Sequence, residues 1–402
     1  MSTHSEAMHA PAGLDHCPFM PTYGAPAVRM VKGEGCRLWD EDGNEYLDFL
    51  AGIAVVGLGH ANPEIADAIA QQARTLVHVS NLYGTVPGTD VAITLDRLLG
   101  GGGQIFFTNS GAEAIECAIK LARKWGGDGR YGVVSAYGSF HGRTLGALHA
   151  TGQPAKWEGF QPLPEGFRHV AWNDLDALEA AIDPTVAAVL LEPIQGEGGV
   201  HPATAEYFEG VRRLCDERGL LMIVDEIQTG LGRTGEWFGF QHFGVEPDVV
   251  TMAKALGNGM PIGACWAKRD VAAVFQPGDH GTTYGGQPLA ASAARATLEI
   301  LERVNAPQLA ERAGAVFRHL LETVEGVIQV RGLGLLLAAE LAVGIDAKAV
   351  ASDLLQRGLI VNAVSPTSLR FAPPLIVSES EIAQAVDLLS AVLADHLPKA
   401  ES

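Results

Sequence analysis

Lys254 and Asp225 each follow a run poor in polar residues, VVTMA (249–253) before the lysine and LLMIV (220–224) before the aspartate. A lysine taken out of water loses part of its preference for the ammonium form, so its amine can attack a carbonyl. Ser110-Gly111-Ala112 opens the segment AEAIECAIKLARK, where free N–H groups and a helix dipole would favour a phosphate. Singly, these residues have plainer readings: Ser110 and Asp225 as helix N-caps, Lys254 as a solvated surface lysine, and Phe140 as core. Jointly they match what pyridoxal phosphate requires. The lysine forms a Schiff base, the carboxylate keeps the pyridine nitrogen protonated, and the ring then serves as an electron sink.

The elements that must position these residues follow from the apolar pattern. Short unbroken apolar runs at 104–108, 131–135, 186–191, 220–224 and 249–252 alternate with helical stretches such as 112–124 and 204–218. Such runs predict a largely parallel sheet covered on both faces by helices, an α/β fold. Ligands of these sheets sit beyond the carboxyl ends of the strands. The residues that follow the runs are Asn109 to Ala112, Tyr137 to Arg143, Glu192 to Glu197, Asp225 to Gln228 and Lys254. After about residue 287 the pattern loosens into helices 288–304, 306–323, 346–357 and 379–396 with strands at 333–341, 359–362 and 368–371. A hairpin at 36–49 is expected to join this α+β layer. The chain is therefore read as a large unit, 66–290, beside a smaller discontinuous one, 19–65 with 291–402, and a flexible leader, 1–18.

Composition narrows the function classes. The 402 residues carry 28 basic and 47 acidic side chains, a formal charge of −19, which disfavours a nucleic-acid partner. No run of 18 or more apolar residues suggests a membrane span. Five scattered cysteines with no CxxC make a disulfide framework or zinc site improbable and suggest a reducing cytoplasm. His4, His9, His16 and Cys17 cluster, but a plain leader explains them, and no metal is expected. HExxH, GxSxG and Walker GK[ST] signatures are absent.

The motifs YLDFLAGIAVVGLGHANPEI (46–65), NSGAEA (109–114), SFHGRT (139–144), EPIQGEGG (192–199), DEIQTGLGRTG (225–235), AKALGNGMPIGA (253–264), HGTTYGGQP (280–288) and LRFAPPL (369–375) resemble the class III (ω-amino-acid) aminotransferases of fold type I. The likeness extends from about Tyr23 to Ala394. SNLYGT (80–85) and GLIVNAVSPTSLRFAPPL (358–375) are most similar to the acetylornithine branch of that family. The resemblance implies pyridoxal 5'-phosphate bound through Lys254, Asp225 on its ring nitrogen, Gln228 on its ring hydroxyl and Phe140 stacked on the ring. Ser110, Gly111 and Ala112 would hold the phosphate, and Thr283 would reach it from the other subunit of a homodimer. Arg143 would take the α-carboxylate of an ornithine derivative, and Arg370 that of glutamate, masked by Glu197 when the other substrate is bound. Tyr23 and Thr282 are further substrate-side candidates. Ile115 departs from the Asn usual in relatives, and His141 stands where some carry Trp. The implied reaction is transfer of the δ-amino group of N2-acetylornithine to 2-oxoglutarate by a ping-pong route, as in arginine biosynthesis. Ornithine, succinylornithine, succinyldiaminopimelate and 4-aminobutyrate are alternative donors. A non-catalytic fold relative and an aminomutase are the readings from other classes.

Overall fold

Val186–Leu191 has no exposed residue and forms the middle of a seven-stranded sheet in the computed structural model, which describes residues 19–24 and 26–397. The strands in chain order are β1 (Gly103–Thr108), β2 (Gly132–Ala136), β3 (Phe167–Val170), β4 (Val186–Leu191), β5 (Leu221–Asp225), β6 (Val249–Met252) and β7 (Gly263–Lys268). They lie in the order β1-β7-β6-β5-β4-β2-β3. Only β7 is antiparallel, to both β6 and β1. The other six therefore share one direction and end at one edge.

Alternation along the strands builds two cores. Ala188 and Leu190 of β4, with Leu221 and Ile223 of β5, pack against Ile115, Ala118 and Leu121 of helix α1 (Gly111–Gly126). Val189 and Leu191, with Met222 and Val224, face the other way, toward the helices Ala205–Arg218 and Pro288–Arg303. Each such side chain contributes about 1.5–3 kcal/mol on full burial, so a strand apolar on both faces has one stable place, the sandwiched interior. Parallel strands buried on both faces explain why these runs read as continuous rather than alternating.

A two-stranded sheet, Ile194–Gln195 with His201–Pro202, and two four-stranded ones accompany the large sheet among the described residues. One orders Met30–Glu34, Arg37–Asp40, Glu45–Asp48 and Leu359–Ile360, the last pairing in parallel through Leu47 with Leu359. The other orders Val327–Leu333, Leu336–Leu341, Ser368–Phe371 and Asn362–Ala363. Phe317, on helix Ala306–Glu322, joins them. It meets Phe49 and Phe371 edge-on, at ring separations of 5.3 and 5.2 Å.

Several sequence expectations are corrected. The strand expected over 333–341 is present from Leu336 to Leu341, as the second arm of a hairpin with Val327–Leu333, because the chain reverses at Gly334 with φ +54°. A Cβ there would come 2.5 Å from the Thr234 carbonyl carbon, so glycine alone fits the turn. The apolar run hides that reversal, since one glycine inside it carries little signal. Strands β3, β7 and Met30–Glu34 were not expected; β7 is embedded in a motif read for its glycines, and the other two are short and partly polar. A helix at Val86–Leu98 carries Pro87 in its first turn, where a missing N–H is harmless. The leader 1–18, with His4, His9, His16 and Cys17, lies outside the described residues. Among those described, no helix is long and apolar enough to cross a membrane, and no group of three His, Cys, Asp or Glu is placed to hold a metal.

Candidate active site

The carboxyl edge of the large sheet frames a cavity of about 410 Å³. Ser110, Gly111 and Ala112, Phe140, Arg143, Glu197, Asp225, Gln228 and Lys254 all line it. Arg370 lies immediately behind the Glu197 wall. Thr282, Thr283 and Tyr23 stand outside it. Thr282 Oγ1 accepts from Asn109 Nδ2 at 3.2 Å and from the Gly285 N–H at 3.1 Å. Thr283 lines separate surface clefts, and Tyr23 is 90% exposed.

Lys254 follows β6 and opens a single 3₁₀ turn. Its φ is +46°, a conformation that costs a lysine of order 1–3 kcal/mol and persists only when the surroundings impose it. Gly257 closes that turn at a point where a Cβ would sit 2.0 Å from the Met260 carbonyl oxygen. Burial pushes the Lys254 amine down to about 8, with Arg370 acting in the same direction and Glu197, Asp225 and Glu192 opposing. The result is an amine much nearer neutrality than a surface lysine.

Asp225 ends β5 and is buried. It does not cap a helix. One carboxylate oxygen accepts the Ile227 N–H at 3.0 Å and the Thr251 hydroxyl at 3.4 Å. The other meets His141 Nδ1 at 2.8 Å. His141 is itself buried and reaches Ser135 Oγ through Nε2 at 3.3 Å. The imidazole therefore fixes the direction of the carboxylate, a role that residue type alone could not separate from a contact with the ring edge. Glu192 is a second residue that sequence reasoning passed over. It is buried in the cavity wall and accepts the Phe140 N–H at 3.1 Å. Burial, then repulsion from Asp225, drives its carboxyl well above the ordinary range. Its signal was only a position directly after β4.

At the other end of the cavity, helix α1 presents its N-terminus. Ser110 caps it, its Oγ accepting from the Glu113 N–H at 3.3 Å. The first-turn N–H groups of Gly111 and Ala112 have no intrahelical acceptor. At Gly111 a Cβ would lie 2.7 Å from Ile227, so glycine lets the cradle close against the Asp225 loop. Arg143 lies over the Phe140 ring at 5.6 Å and has no ion-pair partner among the described residues. Lys156 is held by Gln153 on the same side, and burial followed by the charge of Arg143 lowers its amine.

The pair Glu197–Arg370 joins the β4 loop to strand Ser368–Phe371. Arg370 is 0% exposed, and its Nη1 donates to Glu197 Oε1 at 2.6 Å. The same nitrogen reaches Gln228 Oε1 at 3.2 Å and the Gly196 carbonyl at 3.3 Å. Nη2 has no partner among the described residues. Burial works to raise the Glu197 carboxyl, but Arg370 holds it below the usual range. Removing one member of a buried pair costs about 3–5 kcal/mol, so Arg370 requires a carboxylate at all times.

An amine, a positioned carboxylate, an aromatic face and an anion cradle converge on one cavity. That donor set fits pyridoxal phosphate. Nη2 of Arg370 and the Arg143 guanidinium are the two cationic groups at this end without an acid partner of their own among the described residues.

Residues 20–393 match the family model for class III aminotransferases. The chain is 49% identical to the acetylornithine aminotransferase of Caldanaerobacter subterraneus over 94% of this chain and 97% of that one. It is likewise 49% identical to the acetylornithine aminotransferase of Corynebacterium efficiens over 93% and 94%. A crystal structure of Toxoplasma gondii ornithine aminotransferase, described with pyridoxal phosphate at its active site, superposes with a TM-score of 0.90. It is 34% identical, with 95% of this chain and 93% of that one covered. The seven-stranded sheet is thus that of the fold type I transferases. The chain belongs to the class III aminotransferases, as a pyridoxal-phosphate-dependent transaminase.

Proposed function

We propose that the chain is an acetylornithine aminotransferase of arginine biosynthesis, acting in the cytoplasm as a homodimer on N2-acetylornithine and 2-oxoglutarate. The observation that carries the reading is the arrangement of cations. Arg143 is unpaired and open to the cavity, whereas Arg370 is sealed behind Glu197. A donor that reacts at its δ-amine has no carboxylate beside the reacting carbon, so Glu197 stays on Arg370 while Arg143 takes the distal α-carboxylate. Glutamate brings a carboxylate beside its reacting carbon. Glu197 then swings away, and the guanidinium receives the new carboxylate through Nη1 and the orphan Nη2, the bidentate geometry arginine prefers.

When bound, pyridoxal phosphate supplies the electron sink and the carbonyl that accepts the amino group. Gly111 and Ala112 N–H groups and the Ser110 hydroxyl would hold the phosphate, with Thr283 reaching it from the partner subunit, and Thr282 would lie on the substrate side. Asp225, oriented by His141, would face the ring nitrogen. Phe140 would stack on the ring, and Gln228, beside Glu197, would serve the ring hydroxyl. Lys254 moves the proton at the carbon that bears the transferred nitrogen. Tyr23 closes over the donor carboxylate. The division into 66–290 and a unit of 19–65 with 291–402 belongs to this reading, supported by the pairing of Leu47 with Leu359.

A donor panel with 2-oxoglutarate tests the assignment. Acetylornithine should give the highest kcat/KM, ahead of free ornithine, 4-aminobutyrate and the succinylated donors. A strong preference for one of those would reassign the enzyme within its family.

A further inference from the structure

A second cluster of reactive side chains lies on the face of helix α1 away from the cofactor cavity. Cys117 of α1 and Cys265 of β7 belong to the same buried cluster and line a separate cavity of about 260 Å³, walled by Phe106 and Phe275. The two thiols face the same cavity, and Cys265 and His280 are the neighbours that act most on the charge of Cys117. Lys120, one turn along α1, donates to the Asp279 carbonyl at 2.8 Å and to His280 Nδ1 at 3.0 Å. A lysine ammonium can only donate, so Nδ1 accepts, and the ring proton sits on Nε2, the nitrogen left for Cys117. The His280 ring is held in that position between Phe106 at 4.8 Å and Phe275 at 6.0 Å.

The geometry points to Cys117 and Cys265 as an attacking and a resolving thiol that a hydroperoxide converts into a reversible disulfide. The Cys117 sulfur attacks one peroxide oxygen and the O–O bond breaks. The leaving hydroxide takes up the proton released by the Cys117 thiol, giving the first water, and Cys117 becomes a sulfenic acid. The Cys265 thiol gives up its proton, its sulfur attacks the Cys117 sulfur, and the S–O bond breaks to release water. Overall, two thiols and one hydrogen peroxide give one disulfide and two waters, so both thiols are oxidised and the peroxide is reduced.

The other buried cysteines show that burial alone does not produce this. Burial drives Cys36 far above the ordinary thiol range and Cys215 up to about 12. Cys117 is as deeply buried, yet the hydrogen bond from Cys265, then His280 and Lys120, hold it down to about 6. Cys265 moves the opposite way, as a thiol that keeps its proton until its partner is oxidised.

Treating the holoenzyme with hydrogen peroxide, blocking free thiols and mapping unreduced peptides by mass spectrometry tests this. The expected result is a Cys117–Cys265 crosslinked pair, abolished by dithiothreitol, with Cys36 and Cys215 still free. In Cys265→Ser the crosslink is lost and Cys117 proceeds to the sulfinic acid. Without peroxide, Cys117 should be alkylated at pH 7 on the order of ten-fold faster than Cys215, as its greater thiolate fraction requires. His280→Gln should reduce that difference. Free Cys117 and Cys265 after oxidation of another cysteine, or a crosslink from Cys117 to Cys17, would overturn the assignment. The wild-type map decides the matter even where a variant does not fold.

Discussion

At the scale of single residues, the site depends on groups whose charge is set by burial. Lys254 is the clearest case. Desolvation brings its amine to about 8, so it becomes largely neutral above that pH while surface lysines, near 10.4, remain charged. In the cofactor-free protein, the rate of Lys254 acylation by acetic anhydride should therefore rise with pH to a midpoint near 8. Peptide mapping supplies the surface lysines as internal controls, and a Lys254 midpoint above 10 would contradict the account. Lys254 and Asp225 could be picked out of the sequence because each follows an apolar strand, and a polar group in that place must be used. His141 and Glu192 follow strands too, but a histidine or glutamate there has many uses. Only the 2.8 Å contact with Asp225, and the 3.1 Å contact with the Phe140 N–H, specify what these two do.

At the scale of elements, close approaches set the positions that residue types alone cannot. The loop after β4 must pass against Gln228 for Glu197 to reach Arg370. Gly196 allows it, since a Cβ at that position would lie 1.9 Å from Gln228 Oε1. The Gly196 carbonyl also accepts from Arg370. Gly196→Ala should therefore displace Gln228 and loosen the Arg370 anchor, at an overpacking cost of about 1–3 kcal/mol. The measurements are the thermal midpoint, which should fall, and kcat/KM for glutamate, which should fall more than that for the donor. Unchanged values for both would show that the loop has room to adjust. The central parallel strands were legible because burial on both faces leaves no alternation to obscure, whereas the half-buried β3 was not. The antiparallel β7 and the hairpin at Gly334 were not, because strand direction and a single-glycine reversal leave no periodic trace.

At the scale of the whole molecule, the charge is −19, yet the cavity gathers Lys254, Arg143 and Arg370 with a helix N-terminus, a cationic focus inside an acidic envelope. Net charge could exclude polyanions but could not show this local sign. Thr283 stands outside the cavity of its own chain, as an exchange of loops between subunits requires. If the exchange occurs, a hybrid dimer of Lys254→Ala and Thr283→Ala chains carries one intact site and one doubly defective site. Mixing and reassociating the two variants should restore activity that neither has at low cofactor concentration. No gain on mixing would place Thr283 in its own subunit's site or outside both.

The central claim is that Glu197 and Arg370, brought together from positions 173 residues apart, let one site accept two kinds of substrate. The most direct test is rapid mixing of Glu197→Ala holoenzyme with N2-acetylornithine and, separately, with glutamate, following the cofactor absorbance through each half-reaction. The account predicts a much larger loss with acetylornithine, because the variant leaves Arg370 buried without a carboxylate only when that donor is bound. Equal losses in the two half-reactions would contradict it.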